Sequence, residues 1–238
     1  MPQTILAELI GTAILIFLGT SVSANVTLHK TKGHNSGWLV ITVGWALAVM
    51  IPAFIFNPIS GAHFNPALTI ALTLIGQGPS SGLGEVLGYI AAQFIGTIIG
   101  ATLAYIQYKD HFDVTPDADS KLGVFATSPA IRNMPLNFMS EFLATFILVF
   151  TILGISNSQF ADALDIFGVG AIILVIGLCL GGSTGYAINP ARDLGSRIAY
   201  AILPIKNKRD PDWEYAWVPV AAPILGAICG AWLSTVIF

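Results

Sequence analysis

Six stretches of the chain are apolar over a length that suits a bilayer crossing: residues 5–26, 37–56, 84–107, 137–156, 166–182 and 215–237. They stand out on a window of about 19 residues, the length a hydrocarbon core asks of a helix. Polar positions collect between them. Loop 27–36 carries His29, Lys30, Lys32 and His34, and the longest polar segment, 108–136, holds Lys109, Asp110, Asp113, Asp117, Asp119, Lys121 and Arg132 and reads as a surface connection. Two further apolar runs are too short to cross. Leu68 to Ile75 stops at Gly76-Gln77-Gly78-Pro79, and the run after Ala191 meets Arg192, Asp193 and Arg197. Both follow the pattern Gly-x-x-x-Asn-Pro-Ala, at Gly61 to Ala67 and Gly185 to Ala191. Asn is a favoured helix cap and Pro a favoured first helical residue, so the pattern predicts half-helices starting after Asn65 and Asn189.

Composition narrows the class without changing the element list. Of the 238 residues, 55 % are hydrophobic and 10 % charged, with a mean hydropathy of +0.77. A water-soluble globule would lack polar surface to cover such a core, so the chain reads as an all-α, polytopic membrane protein. The formal net charge of −3 gives no reason to expect nucleic acid. Cys179 and Cys229 lie inside apolar runs, where a thiol behaves as a small hydrophobe, and neither disulfide nor metal ligation is expected. The first apolar run follows Met1-Pro2-Gln3-Thr4 directly and carries Glu8 with no basic flank, so it reads as a span and not a removable signal.

A repeat runs through the chain. Ala7 to Phe17 and Ser140 to Phe150 share Glu, Thr, Ile, Leu and Phe in register, with Glu141 standing 133 residues after Glu8. Ala91 to Ala101 and Ala221 to Ala231 agree at six of eleven positions, 130 residues apart, and Asn189 follows Asn65 by 124. The units are 1–107 and 137–238, joined by 108–136. Three full spans is an odd number, so the second unit enters the membrane inverted, and the two half-helix N-termini meet near the midplane.

Two Asn-Pro-Ala motifs in an inverted six-span repeat resemble the aquaporin superfamily, and Asn189-Pro190-Ala191-Arg192-Asp193 is similar to its glycerol-facilitator branch. The resemblance covers nearly the whole chain. It implies the aquaporin fold, a pore in each subunit of a homotetramer, a passive channel for glycerol, small polyols and water, extending to undissociated lactic acid or urea, and no catalysis or cofactor. An orthodox water channel and an ion-coupled transporter are the alternatives. The family's narrowest region falls on Trp45, Gly177, Tyr186 and Arg192, with one departure: the branch usually has Phe at the position of Tyr186. The resemblance also implies a multi-pass protein of the cell membrane with both termini cytoplasmic. All ten Lys and Arg then lie on the outer half, against the usual inside bias.

Each candidate residue carries a plain reading beside the functional one. Asn65 and Asn189 either cap their helices or also present amide N–H groups to a passing oxygen, at helix N-termini that each bear about half a positive charge. Gly61, Ala62, His63 and Phe64, with Thr184, Gly185, Tyr186 and Ala187, are non-helical backbone at membrane depth, which is tolerated where carbonyls line a wet cavity or lie buried in protein. Pro66, Ala67, Pro190 and Ala191 complete the two starts. Arg192 is costly in an apolar tube unless its donors are used. Glu8 and Glu141, equivalent in the repeat, suit acceptors for half-helix backbone better than a proton relay or metal site. His63 is either a pore-side donor or a packed imidazole, and Asp193 is expected to brace Arg197 or a loop and so widen the mouth.

Overall fold

The structure, a computed structural model, describes residues 1–157 and 162–238, the side chains of 162–165 excepted. Among the described residues there is no strand. Long helices occupy Gln3–Thr27 (α1), Trp38–Ser60 (α2), Leu83–Gln107 (α4), Met134–Ser156 (α7) and Val218–Ile237 (α10), five of a length and hydropathy that suit membrane crossing. The sixth, Asp162–Cys179 (α8), has an apolar described part, Ile166–Cys179, that is shorter. Pro66–Leu74 (α3) is one half-helix. The other is composite, a π-helical turn over Ala191–Gly195 running into Ser196–Ile202 (α9). At about 1.5 Å per residue, α3 rises less than half of a 30 Å hydrocarbon layer.

The two halves pack alike because glycine lets helix backbones touch. A Cβ on Gly96 or Gly100 of α4 would fall 2.4 Å from the carbonyl oxygens of Leu9 or Ala13 in α1. At the equivalent positions of α10, a Cβ on Gly226 or Gly230 would fall 2.3 or 2.6 Å from those of Phe142 or Phe146 in α7. Lipid supplies no hydrophobic drive between helices, so such close approach carries the association. The half-helices then cross over: α3 lies chiefly against α10, and the π turn against α4. Apolar side chains such as Leu39, Val43, Leu47, Ile51 and Ile55 of α2 remain exposed on the outside. Cys179 and Cys229 are exposed there too, as free thiols.

Segment 108–136 is more than the surface connection its polarity suggests. It holds two short helices, Lys109–Val114 (α5) and Ala118–Phe125 (α6), and buries Phe112, Leu122, Val124 and Phe125 against Tyr105 and Tyr200. Lys121 is 1 % exposed, its Nζ donating to the Lys206 carbonyl at 2.6 Å. Lys208 donates to the carbonyls of Tyr200, Ala201 and Leu203, closing the C-terminal end of α9. Lys109 and, less strongly, Lys206 hold the Asp113 carboxyl below its ordinary range. Arg132 pairs with Asp212, and Arg209 with Asp119. The basic residues gathered on this face are thus largely consumed in folding its loops. That gives their uneven distribution a structural cause independent of insertion.

Candidate functional site

Both short helices start from a chain that turns through left-handed backbone. Gly61, Ala62 and Phe64 have φ of 79°, 49° and 48°, and Gly185, Tyr186 and Ile188, each 124 residues later, have 89°, 40° and 46°. Non-glycine residues occupy this region at a cost of about 1–3 kcal/mol each, so something must hold them there. A buried carboxylate does so in each loop. Glu8 accepts from the backbone N–H of His63 (2.9 Å) and Phe64 (2.7 Å), and also from Ser60 Oγ (2.7 Å) and Gln93 Nε2 (2.8 Å). Glu141 accepts from the N–H of Ala187 and Ile188, both at 3.0 Å, and from the Thr184 hydroxyl. With two oxygens and about four lone-pair positions, the Glu8 carboxylate is filled. Among the described residues no group of three or more His, Cys, Asp or Glu could hold a metal ion.

The Asn side chains couple one loop to the other. Asn65 Oδ1 accepts from Ala67 N (2.9 Å), and Asn189 Oδ1 accepts from Ala191 N (3.0 Å) and Arg192 N (3.1 Å), the geometry of a helix cap. Each amide nitrogen then reaches across: Asn65 Nδ2 donates to the Ile188 carbonyl and Asn189 Nδ2 to the Phe64 carbonyl, both at 2.8 Å. The two half-helix starts therefore face each other at bonding distance. An amide carries two N–H groups, so each Asn retains a second donor beside this bond.

A cavity of about 340 Å³ runs past this junction. Gly61, Ala62, His63, Phe64 and Asn65 contribute to its wall from one loop, and Tyr186, Ala187, Ile188, Asn189 and Arg192 from the other. Trp45 belongs to the wall as well, while Leu72, Leu153, Ile155, Val169 and Ile173 make the rest mostly apolar. Asn57, Gln77 and Ser156 line it near the ends of α2, α3 and α7. Thr184 and Gly185 are not in the wall: Thr184 is 1 % exposed, and Gly185 sits against Thr127. Nor is Gly177 in the wall of this cavity; it lies behind the Tyr186 ring, where a Cβ would stand 3.0 Å from Cζ and 3.1 Å from the hydroxyl. His63 is in the wall, with Nδ1 3.1 Å from Thr69 Oγ1 and its ring edge-on to Tyr89.

Arg192 and Asp193 are neighbours with opposite destinations. The π turn directs the Arg192 guanidinium over the Trp45 ring, Cζ lying 4.3 Å from its centroid. Its one described side-chain bond to protein is long, Nη1 to the Phe125 carbonyl at 3.4 Å, so most of its five N–H donors are left for the cavity. Asp193 points the other way and is fully buried. It pairs with Arg197 through Oδ1 at 2.8 and 3.0 Å, and its Oδ2 accepts from Thr127 N (2.7 Å) and Oγ1 (2.6 Å). Arg197 is completed by the carbonyls of Thr127, Pro211 and Asp212. Asp193 thus braces both Arg197 and the loop at Thr127.

Several residues at the site escape a reading of motifs. Gln93 bridges Glu8 and Thr69; its signal is an amide in a span where the repeat has Pro223. Ser60 is the second. Ser23 accepts from Trp45 Nε1 at 3.0 Å, fixing the indole plane beneath Arg192. Trp38 donates to the Gly177 carbonyl at 2.9 Å. Thr127 ties the connecting segment to Asp193. The last three contacts join residues far apart in the chain and leave no mark in the spacing.

Comparison with known proteins agrees with this geometry. The family model described as "Major intrinsic protein" matches residues 1–234. A probable glycerol uptake facilitator protein of Thermotoga maritima is 52 % identical over 233 residues, covering 98 % of each chain. A glycerol uptake facilitator protein of Bacillus subtilis is 52 % identical over 223 residues, 94 % of this chain and 80 % of that one. Among solved structures, the aquaglyceroporin from Plasmodium falciparum superposes with a TM-score of 0.87 at 32 % identity, covering 99 % and 96 % of the two chains. The fold is that of the aquaporins, and the chain belongs to the major intrinsic protein family, a multi-pass membrane channel family.

Proposed function

We propose that the chain is a passive channel for glycerol, other small polyols and water, open also to small neutral molecules such as urea or undissociated lactic acid. The observation that carries this reading is the pairing, in one cavity, of aromatic walls with a cation that has no carboxylate partner: Trp45 and Tyr186 line it, and Arg192 lies over the Trp45 ring. A polyol has one edge of carbon and one of hydroxyls. Its hydroxyls accept from Arg192 while its carbon edge lies on the rings, and Gly177 leaves the Tyr186 ring room to sit back. At the midplane Asn65 and Asn189 offer their second N–H groups to the passing oxygen. Two opposed helix N-termini and the Arg192 charge raise the energy of a cation or hydronium there. The names of the similar proteins, glycerol uptake facilitators and an aquaglyceroporin, support the same substrate class.

In this reading Glu8, Glu141 and Asp193 are structural, and no reactive grouping or cofactor is used. The chain divides into units 1–107 and 137–238 joined by 108–136, and lies with both termini in the cytoplasm. The exposed apolar faces meet lipid and three further copies in a homotetramer. The test is stopped-flow swelling of proteoliposomes with glycerol, urea, lactic acid at low pH and water. Glycerol flux without proton current is expected, and Arg192→Val is expected to raise proton or cation leak. Uptake that required an ion gradient would overturn the channel reading in favour of a coupled transporter.

A further inference from the structure

Tyr186 does not hold its own position. Its φ of 40° is one that a bulky residue rarely adopts, and its hydroxyl is buried without a hydrogen-bond partner. What surrounds the ring is a slot. Gly177 and Gly181, one helical turn apart, form its floor: a Cβ on Gly181 would fall 2.4 Å from Tyr186 Cδ1 and 2.9 Å from Trp38 Cζ2. Trp38 closes the slot. Its ring stands edge to face with Tyr186, centroids 5.7 Å apart and planes at 83°, and its indole N–H donates to the Gly177 carbonyl at 2.9 Å. Trp38 is not in the wall of the central cavity. It also borders a separate surface hollow of about 530 Å³ that meets His29, His34 and Asp117.

We infer that Trp38 is a positioning residue for the constriction: it holds the Tyr186 ring in the wall of the cavity that Arg192 also lines, and so sets the size of solute that passes. The inference rests on the channel reading and adds to it a residue outside the pore wall. The direction of the effect follows from what each ring borders. Trp38 borders both the hollow and the Tyr186 ring, and Tyr186 borders the pore, so removing the indole joins the hollow to the slot and lets the Tyr186 ring fall back. The opening then widens, and a five-carbon polyol gains more than glycerol does. Edge-to-face aromatic contact is weak enough that the gain is a factor of about three, not a complete loss of selection.

The experiment uses the full chain in proteoliposomes and reads the ratio of xylitol to glycerol flux in one preparation, which cancels differences in the amount of inserted protein. Trp38→Leu, which keeps apolar bulk but removes the ring and the N–H, is expected to raise the ratio about threefold. Trp38→Phe, which restores a ring edge without the donor, is expected to fall between Leu and wild type. A merely structural role would lower the thermal midpoint and scale both fluxes together without this graded change in ratio. A ratio that stays at the wild-type value or falls in Trp38→Leu overturns the inference; if that variant does not insert, a wild-type ratio in Trp38→Phe overturns it. A wild-type chain that passes no glycerol overturns the channel reading, and the inference with it.

Discussion

The two re-entrant loops share a backbone, its carboxylate acceptors and its Asn caps, and differ in the side chains set on that frame. Their left-handed residues, their carboxylate acceptors and their Asn caps correspond position for position, at Gly61, Ala62 and Phe64 against Gly185, Tyr186 and Ile188. Beyond that frame they part. The first loop leads into a regular helix with no charged residue, and its carboxylate collects two side-chain donors besides the backbone. The second leads into a π turn that carries Arg192, Asp193 and then Arg197. Where Ala62 stands in the first loop, the second has Tyr186. The shared part is what a chain needs in order to stop a helix at mid-membrane with every backbone group satisfied. The unshared part gathers around Tyr186 and Arg192, where we propose that solute is chosen.

The largest effects should come from the shared part. Glu8→Ala and Glu141→Ala each strand two buried backbone N–H groups, at about 1–3 kcal/mol apiece. Glu8→Ala also removes an acceptor from Ser60 and from Gln93, which keeps its bond to Thr69, whereas Glu141→Ala removes one from Thr184 alone, so the thermal midpoint of Glu8→Ala in detergent is expected to fall somewhat further. Equal losses would mean that the extra donors at Glu8 find other acceptors, and the asymmetry between the loops would then be only apparent.

The shared frame was also the legible part. Lipid asks for long apolar runs, and a run that ends early after Asn-Pro announces a half-helix, so the spans and both starts could be read within a few residues. The exceptions are instructive. Helix α2 continues through Pro52, Asn57 and Pro58 to Ser60, past the expected end at 56, because Glu8 takes up Ser60 at its last turn. Repeat symmetry paired Glu8 with Glu141 but gave no sign that Asn65 and Asn189 each bond the opposite loop. Asp193 could be assigned as a brace, yet the π turn that separates it from Arg192 has no local signature. Segment 108–136 reads as a surface connection because seven charged residues are spread along it, and the ion pairs that tie those charges to the rest of the chain join positions up to 90 residues apart. Non-helical backbone at membrane depth points to residues 184–187 as pore lining; Tyr186 and Ala187 are in the cavity wall, while Thr184 bonds Glu141 and Gly185 lies beside Thr127.

A second effect, overlapping the first in size, tests the unshared part. Asp193→Ala leaves Arg197 fully buried without its carboxylate, a loss of about 3–5 kcal/mol for a buried pair broken from one side. It also frees Thr127 N and Oγ1, and with them the segment that offers the Phe125 carbonyl to Arg192. The expected outcome is a lower thermal midpoint together with weakened exclusion of larger polyols. A destabilised variant with wild-type solute ratios would show that Arg192 is placed by the π turn and Trp45 alone.

The smallest effect is expected where the two loops differ most in bulk. Tyr186→Phe keeps the ring that the slot of Gly177, Gly181 and Trp38 encloses, and removes only a buried hydroxyl that has no partner. An unpaired buried hydroxyl contributes nothing to stability, and deleting it is expected to leave the thermal midpoint unchanged or to raise stability by less than about 1 kcal/mol. Glycerol flux should stay close to wild type, because the carbon edge of the solute meets the ring and its hydroxyls meet Arg192. A clear fall in glycerol flux with water flux intact would mean that the hydroxyl turns to meet the solute during passage. Tyr186 would then add a polar contact to the constriction, one that the Ala62 position of the first loop has no means to supply.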